Sequence, residues 1–312
     1  MQETYNTHSN SQIDEIDIWE LFRVLFQGKW IIVTVTTFAS IIGVVYSLQL
    51  PNIYQSKALL VPVNSSSGIS GALGNYSGLA GLAGISIPSG SGETNTTKAI
   101  NKLSSLSFFK NNILANVFLP DLMAVKTWNP GTNTIDYDES IYNKSTNNWV
   151  RDYTYPGKQI PSAQESFGVF KKEHLNVNEN TTNGFITITI SHQSPFIAKE
   201  WTELLVDEVN SFYRQKDKEE SEKAVRYLNQ QIAMTSLSEI KQVIAELLQE
   251  ETQKLTLIEA NKYYVFEYID PPVVMEQKSE PQRSLICILS AIFGGMLGIV
   301  IVLVKHYGFR KK

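Results

Sequence analysis

Two long apolar runs dominate the pattern of hydrophobic and polar positions. Between Lys29 and Lys57 no side chain is charged, and residues 30–50 are almost wholly apolar or hydroxyl-bearing. The second run, residues 284–304, is bracketed by Arg283 and Lys305. Each supplies about the 20 residues that a helix needs to cross a hydrocarbon core of roughly 30 Å. The chain is therefore expected to cross a membrane twice. The first run is longer than a signal-peptide core of about 7–15 residues. The tail before it also carries Asp14, Glu15, Asp17 and Glu20, which argues for an anchor that is kept. Basic residues crowd the terminal side of both runs: Arg23 and Lys29 before the first, Lys305, Arg310, Lys311 and Lys312 after the second. That asymmetry predicts two cytoplasmic termini.

The pattern between and around the runs predicts the remaining elements. Ile18, Phe22, Leu25 and Phe26 recur at helical spacing, so residues 13–29 are expected to form an amphipathic helix lying at the membrane surface. Asp14 would cap it, and Trp19 and Trp30 suit the headgroup level. Residues 54–63 read as a strand. A run of low complexity follows over 64–92, with eight glycines and no charge. It is either a flexible surface loop or a surface that faces another subunit. Residues 98–119 are expected to be helical, and a short helix should follow Ser162, with Glu165 at capping-box spacing. Residues 175–190 read as a hairpin, in which Ile186, Ile188 and Ile190 alternate with threonines after an Asn183-Gly184 turn.

The 75 residues from Phe196 to Asp270 contain neither Gly nor Pro. Ser194-Pro195 starts a helix, with Pro at the first helical position. Helical periodicity then persists to about residue 259, through a stretch (214–223) in which eight of ten side chains are charged. The charged stretch predicts a solvated helix that projects from the domain. Ser236 and Glu239 mark a weak point where a new helix could be capped. A strand over 263–269 leads into Pro271, Pro272 and Pro281, a structural proline segment before the second membrane run. The expected architecture is an α+β domain with a long protruding helix (about 195–259), flanked by two transmembrane α-helices. Its parts are a tail (1–29), a span (30–50), the domain (51–283), a second span (284–304) and a tail (305–312).

Composition narrows the function. A net charge of −4 gives no basic footprint for nucleic acid. The one cysteine, Cys287, lies in the second span, so the domain is held by its own core without disulfides. Asp136-Tyr137-Asp138 matches the D-x-D pattern of some glycosyltransferases, but it stands alone in a turn-rich stretch. His8, His174, His192 and His306 have no metal-ligand spacing, and His174 and His192 are expected to be surface or packing residues. No phosphate-binding loop and no nucleophile–histidine motif occurs. No catalytic, cofactor-binding or metal-binding residue is therefore assigned. The candidate site residues are architectural: Gly294 and Gly298, joined by Ala291 and Gly295, form a small-residue face on the second span. Such a face lets another helix approach closely; the first span, a neighbouring subunit or a separate protein could each supply it.

Three segments taken in order carry a family resemblance: IDIWELFRVLFQGKW (16–30), SPFIAKEWTELLVDEVN (194–210), and LIEANKYYVFEYIDPPVVMEQKSEPQRSLI (257–286) followed by SAIFGGMLG (290–298). The chain resembles the Wzz family of chain-length determinants, the class 1 polysaccharide co-polymerases, over nearly its whole length. Where the family repeats proline after the last strand, this chain has residues 275–278, MEQK. The resemblance implies an inner-membrane protein of a Gram-negative bacterium with a periplasmic domain, a non-enzyme without cofactors. It implies a ring-like homo-oligomer of about eight subunits. It also implies action with the Wzy polymerase on lipid-linked glycan, fixing the number of O-antigen repeat units before ligation to lipopolysaccharide. Determination of another surface glycan, such as enterobacterial common antigen, is the alternative. From other classes, a two-helix sensor or receptor meets tails of about 29 and 8 residues without a signalling module. A glycan-modifying enzyme meets the missing acid/base constellation.

Overall fold

The computed structural model describes residues 18–63 and 95–308. The Gly-rich run, the Asp14 cap, His8 and the basic residues 310–312 lie outside the described residues. The described residues form two compact units: one from residues 18–51 and 280–308, the other from residues 52–63 and 95–279.

The first unit holds helices α1 (Ile18–Gln27), α2 (Lys29–Gln49) and α9 (Arg283–Leu303), the last continued by a π-helical turn, Val304–Gly308. α2 and α9 are long and apolar enough to cross a membrane. Only 11% of the first apolar window and 17% of the second are buried, so neither is the core helix of a soluble domain. On α1, Trp19, Phe22 and Phe26 are exposed, and Trp30 continues the stripe on α2. Val24 faces inward instead.

The second unit is built on a four-stranded antiparallel sheet. Its strands are β1 (Tyr54–Pro62), β6 (Leu175–Glu179), β7 (Ile186–His192) and β8 (Phe266–Asp270), in the order β6-β7-β1-β8. The alternation in β7 sets the inner face: Ile186, Ile188 and Ile190 are fully buried and oppose Leu60, Ala58 and Ser56 of β1. Gly184 closes the β6–β7 hairpin with φ +72°, a conformation that favours glycine.

Between β1 and β6 the chain forms α3 (Asn95–Leu103) and α4 (Leu106–Phe108), the latter continued by a π-helical turn, Phe109–Ile113. α5 (Leu119–Met123) follows, then hairpins β2 (Val125–Asn129)–β3 (Thr134–Tyr137) and β4 (Tyr142–Asn143)–β5 (Asn148–Trp149), then α6 (Ala163–Val169). The single helix expected over 98–119 is broken because Ser105 caps a fresh start, its Oγ accepting the Phe108 N–H at 3.3 Å. Ser162 caps α6 as expected, accepting the Glu165 N–H.

The long helical segment is a hairpin of two helices, α7 (Pro195–Met234) and α8 (Ser238–Ala260). At 40 residues, α7 is about 60 Å long. Its first half lays Ala198, Trp201, Leu205 and Val209 into the core with the isoleucines of β7. Past Tyr213 only Ser221 of α7 is buried, so the second half leaves the sheet and is covered by α8. The continuous helix expected to residue 259 is interrupted at 235–237, where Thr235 and Leu237 are extended. No side chain caps the new start, although Ser236 and Glu239 have the spacing to do so.

Candidate functional site

The small-residue face on α9 has a partner within its own unit. A Cβ on Gly294 would lie 2.6 Å from Ala39 Cβ and 3.0 Å from Thr36 Cα; one on Gly298 would lie 2.9 Å from Ile32 Cα. Such distances leave no room for any larger side chain. From the opposite side, a Cβ on Gly43 of α2 would clash with Ser290 of α9. Gly295 is different: its nearest neighbour would be Thr36 Oγ1 at 3.8 Å, an ordinary van der Waals contact. Ala291 is half-buried. Four hydroxyls in these helices, Thr34, Thr36, Ser40 and Ser290, donate to the carbonyl four residues earlier, which satisfies them within their own helix.

In the proline segment, Pro272 is buried while Pro271 and residues 273–278 are exposed. Ser56 Oγ donates to the Val273 carbonyl at 3.0 Å, and the Ser279 N–H donates to Ile53. These bonds run the segment beside the start of β1.

The charged stretch of α7 does more than face solvent. Arg214 donates to the Asn261 carbonyl at 2.7 Å, Lys218 pairs with Glu259, and Tyr264 Oη donates to Asp217 at 2.5 Å. These bonds fasten the hairpin at its base, where α8 ends. Further out, Met234, Leu237, Ile240 and Val243 are exposed around the tip.

The candidate chemistry is taken apart by the fold. Asp138 Oδ1 accepts from both the N–H and the hydroxyl of Ser140, which holds its carboxyl below the usual range. Tyr137, between the two aspartates, donates instead to Asp121 at 2.5 Å. Burial raises the Asp121 carboxyl, and the tyrosine bond partly offsets it. Among the described residues no group of three or more His, Cys, Asp or Glu side chains could hold a metal ion.

His174 and His192 are packing residues. Their rings lie 5.6 Å apart, and each meets Trp201 edge-on. His192 Nδ1 accepts the Ser194 N–H, so Nε2 carries the proton that it donates to the Asp121 carbonyl at 3.0 Å. Burial depresses the His192 pKa to about 4, and His174 is lowered for the same reason. The N–H of Ser194, the residue before α7, is thus spent on His192, and the Ser194 side chain makes no cap bond. Sequence reasoning missed Asn210, which resembles any polar residue on a solvated helix. Its buried amide binds the backbone of β8.

The described residues thus comprise two membrane-length helices and, between them in sequence, an α+β domain that carries a helical hairpin. The family model described as "Chain length determinant protein" (Wzz) matches residues 14–113. A second, described as "G-rich domain on putative tyrosine kinase" (GNVR), matches residues 230–307. Together the two matches take in more than half of the chain, and each contains one membrane-length helix. The chain belongs to the Wzz family of chain length determinants. A solved "full-length bacterial polysaccharide co-polymerase" is similar at 12% identity and a TM-score of 0.41, covering 95% of this chain and 99% of that one. A "Fragment of WzzB, Polysaccharide Co-polymerase from Salmonella Typhimurium" is similar at 13% identity and a TM-score of 0.28, covering 73% of this chain and 100% of that one. The family assignment rests on the ordered pair of sequence matches, not on these superpositions. No curated protein matches the chain.

Proposed function

We propose that this protein is a polysaccharide co-polymerase that sets the modal length of O-antigen, acting with the Wzy polymerase and forming no bond itself. The observation that carries this reading is the pairing of a Wzz match over the first membrane helix with a GNVR match over the second. The chain would sit in the inner membrane with both termini cytoplasmic and the α+β domain in the periplasm. The Lys and Arg excess on the terminal side of each span supports that orientation.

Copies would assemble into a ring-like homo-oligomer of about eight subunits. Exposed Met234, Leu237, Ile240 and Val243 at the hairpin tip support contacts between copies, since apolar side chains grouped in this way favour burial. Lipid-linked glycan would be the material regulated. A different surface glycan, such as enterobacterial common antigen, fits the same family match and is the second reading. The test is to delete the gene and to separate lipopolysaccharide by size. O-antigen should persist with an altered length distribution. An unchanged O-antigen ladder with altered enterobacterial common antigen would favour the second reading.

A further inference from the structure

A cleft in the second unit has the composition of a sugar-binding site. It is an open cleft of about 400 Å³, lined by half-buried Trp149 and by exposed Asn147, Asn148, Gln159 and Ile160. That volume falls in the range of small-ligand sites, about 300–1,000 Å³. One wall is the β4–β5 hairpin and the other is the loop after residue 157. Arg151 holds the two walls together. Its guanidinium pairs with Glu165, and it donates to the Gln159 carbonyl at 2.8 Å and the Lys158 carbonyl at 2.7 Å. The Glu165 bond keeps the arginine charged and lowers the Glu165 carboxyl. On the other wall, Tyr142 Oη donates to Asn147, fixing the turn, and the Tyr142 ring backs Trp149 at 5.3 Å. The cleft is thus pre-formed by bonds in which, of its lining side chains, only Asn147 takes part.

The lining chemistry is selective. An indole offers a broad apolar surface for the C–H face of a pyranose ring. Asn148 and Gln159 carry amides that donate and accept at once, matching sugar hydroxyls, which also do both. No lining residue is charged. That disfavours a phosphate or a uronate and suits a neutral or N-acetylated sugar.

We propose that the cleft lined by Trp149, Asn148 and Gln159 is a saccharide subsite that holds a neutral sugar residue of the polymer whose length the protein sets. This rests on the reading of the chain as a length regulator and adds direct contact with the glycan. Binding there would tie the growing chain to the regulator.

The test uses the full chain in lipid nanodiscs, free of sugar-headed detergent. The probe is lipid-free polysaccharide released by mild acid from the producing cells, and binding is read by saturation-transfer NMR. Binding should weaken about tenfold in Trp149→Ala, and about fivefold in Asn148→Ala and Gln159→Ala, whose exposed side chains can be trimmed without disturbing the fold. Trp149→Phe should keep most of the affinity. No saturation transfer from the wild-type protein to the polysaccharide, or changes below about twofold in all three alanine variants, would overturn the subsite. If deletion alters the ladder while all three variants bind and regulate as wild type, the cleft alone is excluded. If deletion leaves every surface glycan unchanged, the length-regulator reading fails with it.

Discussion

Asn210 holds the backbone of Phe266 from both sides of its amide: it donates to the Phe266 carbonyl at 3.0 Å and accepts the Phe266 N–H at 2.9 Å. It also accepts the Val265 N–H at 2.8 Å. β8 is an edge strand, and these groups point away from its partner β1. Without Asn210 they would be buried and unpaired.

Asn210→Ala should therefore cost roughly 2–4 kcal/mol, because several backbone groups lose their only partner. Asn210→Asp should also destabilise, since a second acceptor would face the Phe266 carbonyl. Thermal unfolding of the full-length protein in detergent, followed by circular dichroism, checks both. A melting temperature unchanged in both variants would contradict this role.

The membrane face makes a sharper prediction than the sequence pattern does. Gly294→Leu and Gly298→Leu should each destabilise the α2–α9 pair by roughly 1–3 kcal/mol, the range for overpacking. Gly295→Leu should leave that pair intact, because a Cβ there meets α2 only at ordinary contact distance. Disulfide cross-linking between cysteines placed on α2 and α9, in a Cys287→Ser background, reports the pair directly. If Gly295→Leu keeps the pair but changes length control, Gly295 faces a separate partner.

Stability should fall in mild acid. The folded pKa of His192 is about 4, below the ordinary value of 6.5, so the unfolded state binds more protons between these limits. Stability due to neutral His192 is full above pH 6.5 and is lost as pH falls towards 4. The loss for this one group is about 3 kcal/mol. His174, lowered by burial as well, acts in the same direction. A His192→Gln variant should show a shallower decline over this window in denaturation experiments run at several pH values. Parallel declines would assign the effect elsewhere.

Much of the fold was legible because burial imposes a period. The isoleucines of β7 face one side of a sheet, and no other register buries all three. Pro195 marks the start of α7 because only the first turn tolerates it. Residues 121–161 carry no periodic signal in the sequence, since two short hairpins held by side-chain bonds leave no periodic trace. The break at 235–237 was visible as a weak point, but the return of α8 along α7 brings together pairs such as Lys218–Glu259, which spacing does not reveal. For the candidate site, the glycine spacing located the close-packing positions, but it could not separate Gly295 from Gly294 and Gly298. That distinction comes from helix rotation against a particular neighbour.

The proposed orientation can be tested by labelling single cysteines in a Cys287→Ser background. Ser221 is buried under α8 and would label poorly in any topology, whereas Lys223 is exposed. Cysteine at 223 should react in intact cells with a thiol reagent that stays outside the inner membrane, and cysteine at 9 or 312 should not. Labelling at either terminus would refute the orientation.

The central claim is that the protein regulates polymer length and makes no bond. The most direct measurement is the lipopolysaccharide ladder of a clean deletion, complemented with the wild-type gene and, separately, with Asp136→Ala, Asp138→Ala, His174→Ala and His192→Ala variants that reach the membrane in equal amount. Deletion should leave polymerised O-antigen, with a clustered ladder replaced by an unregulated one dominated by short chains, and every variant should restore clustering. Loss of all polymerised O-antigen on deletion, or in any folded variant, would contradict the claim.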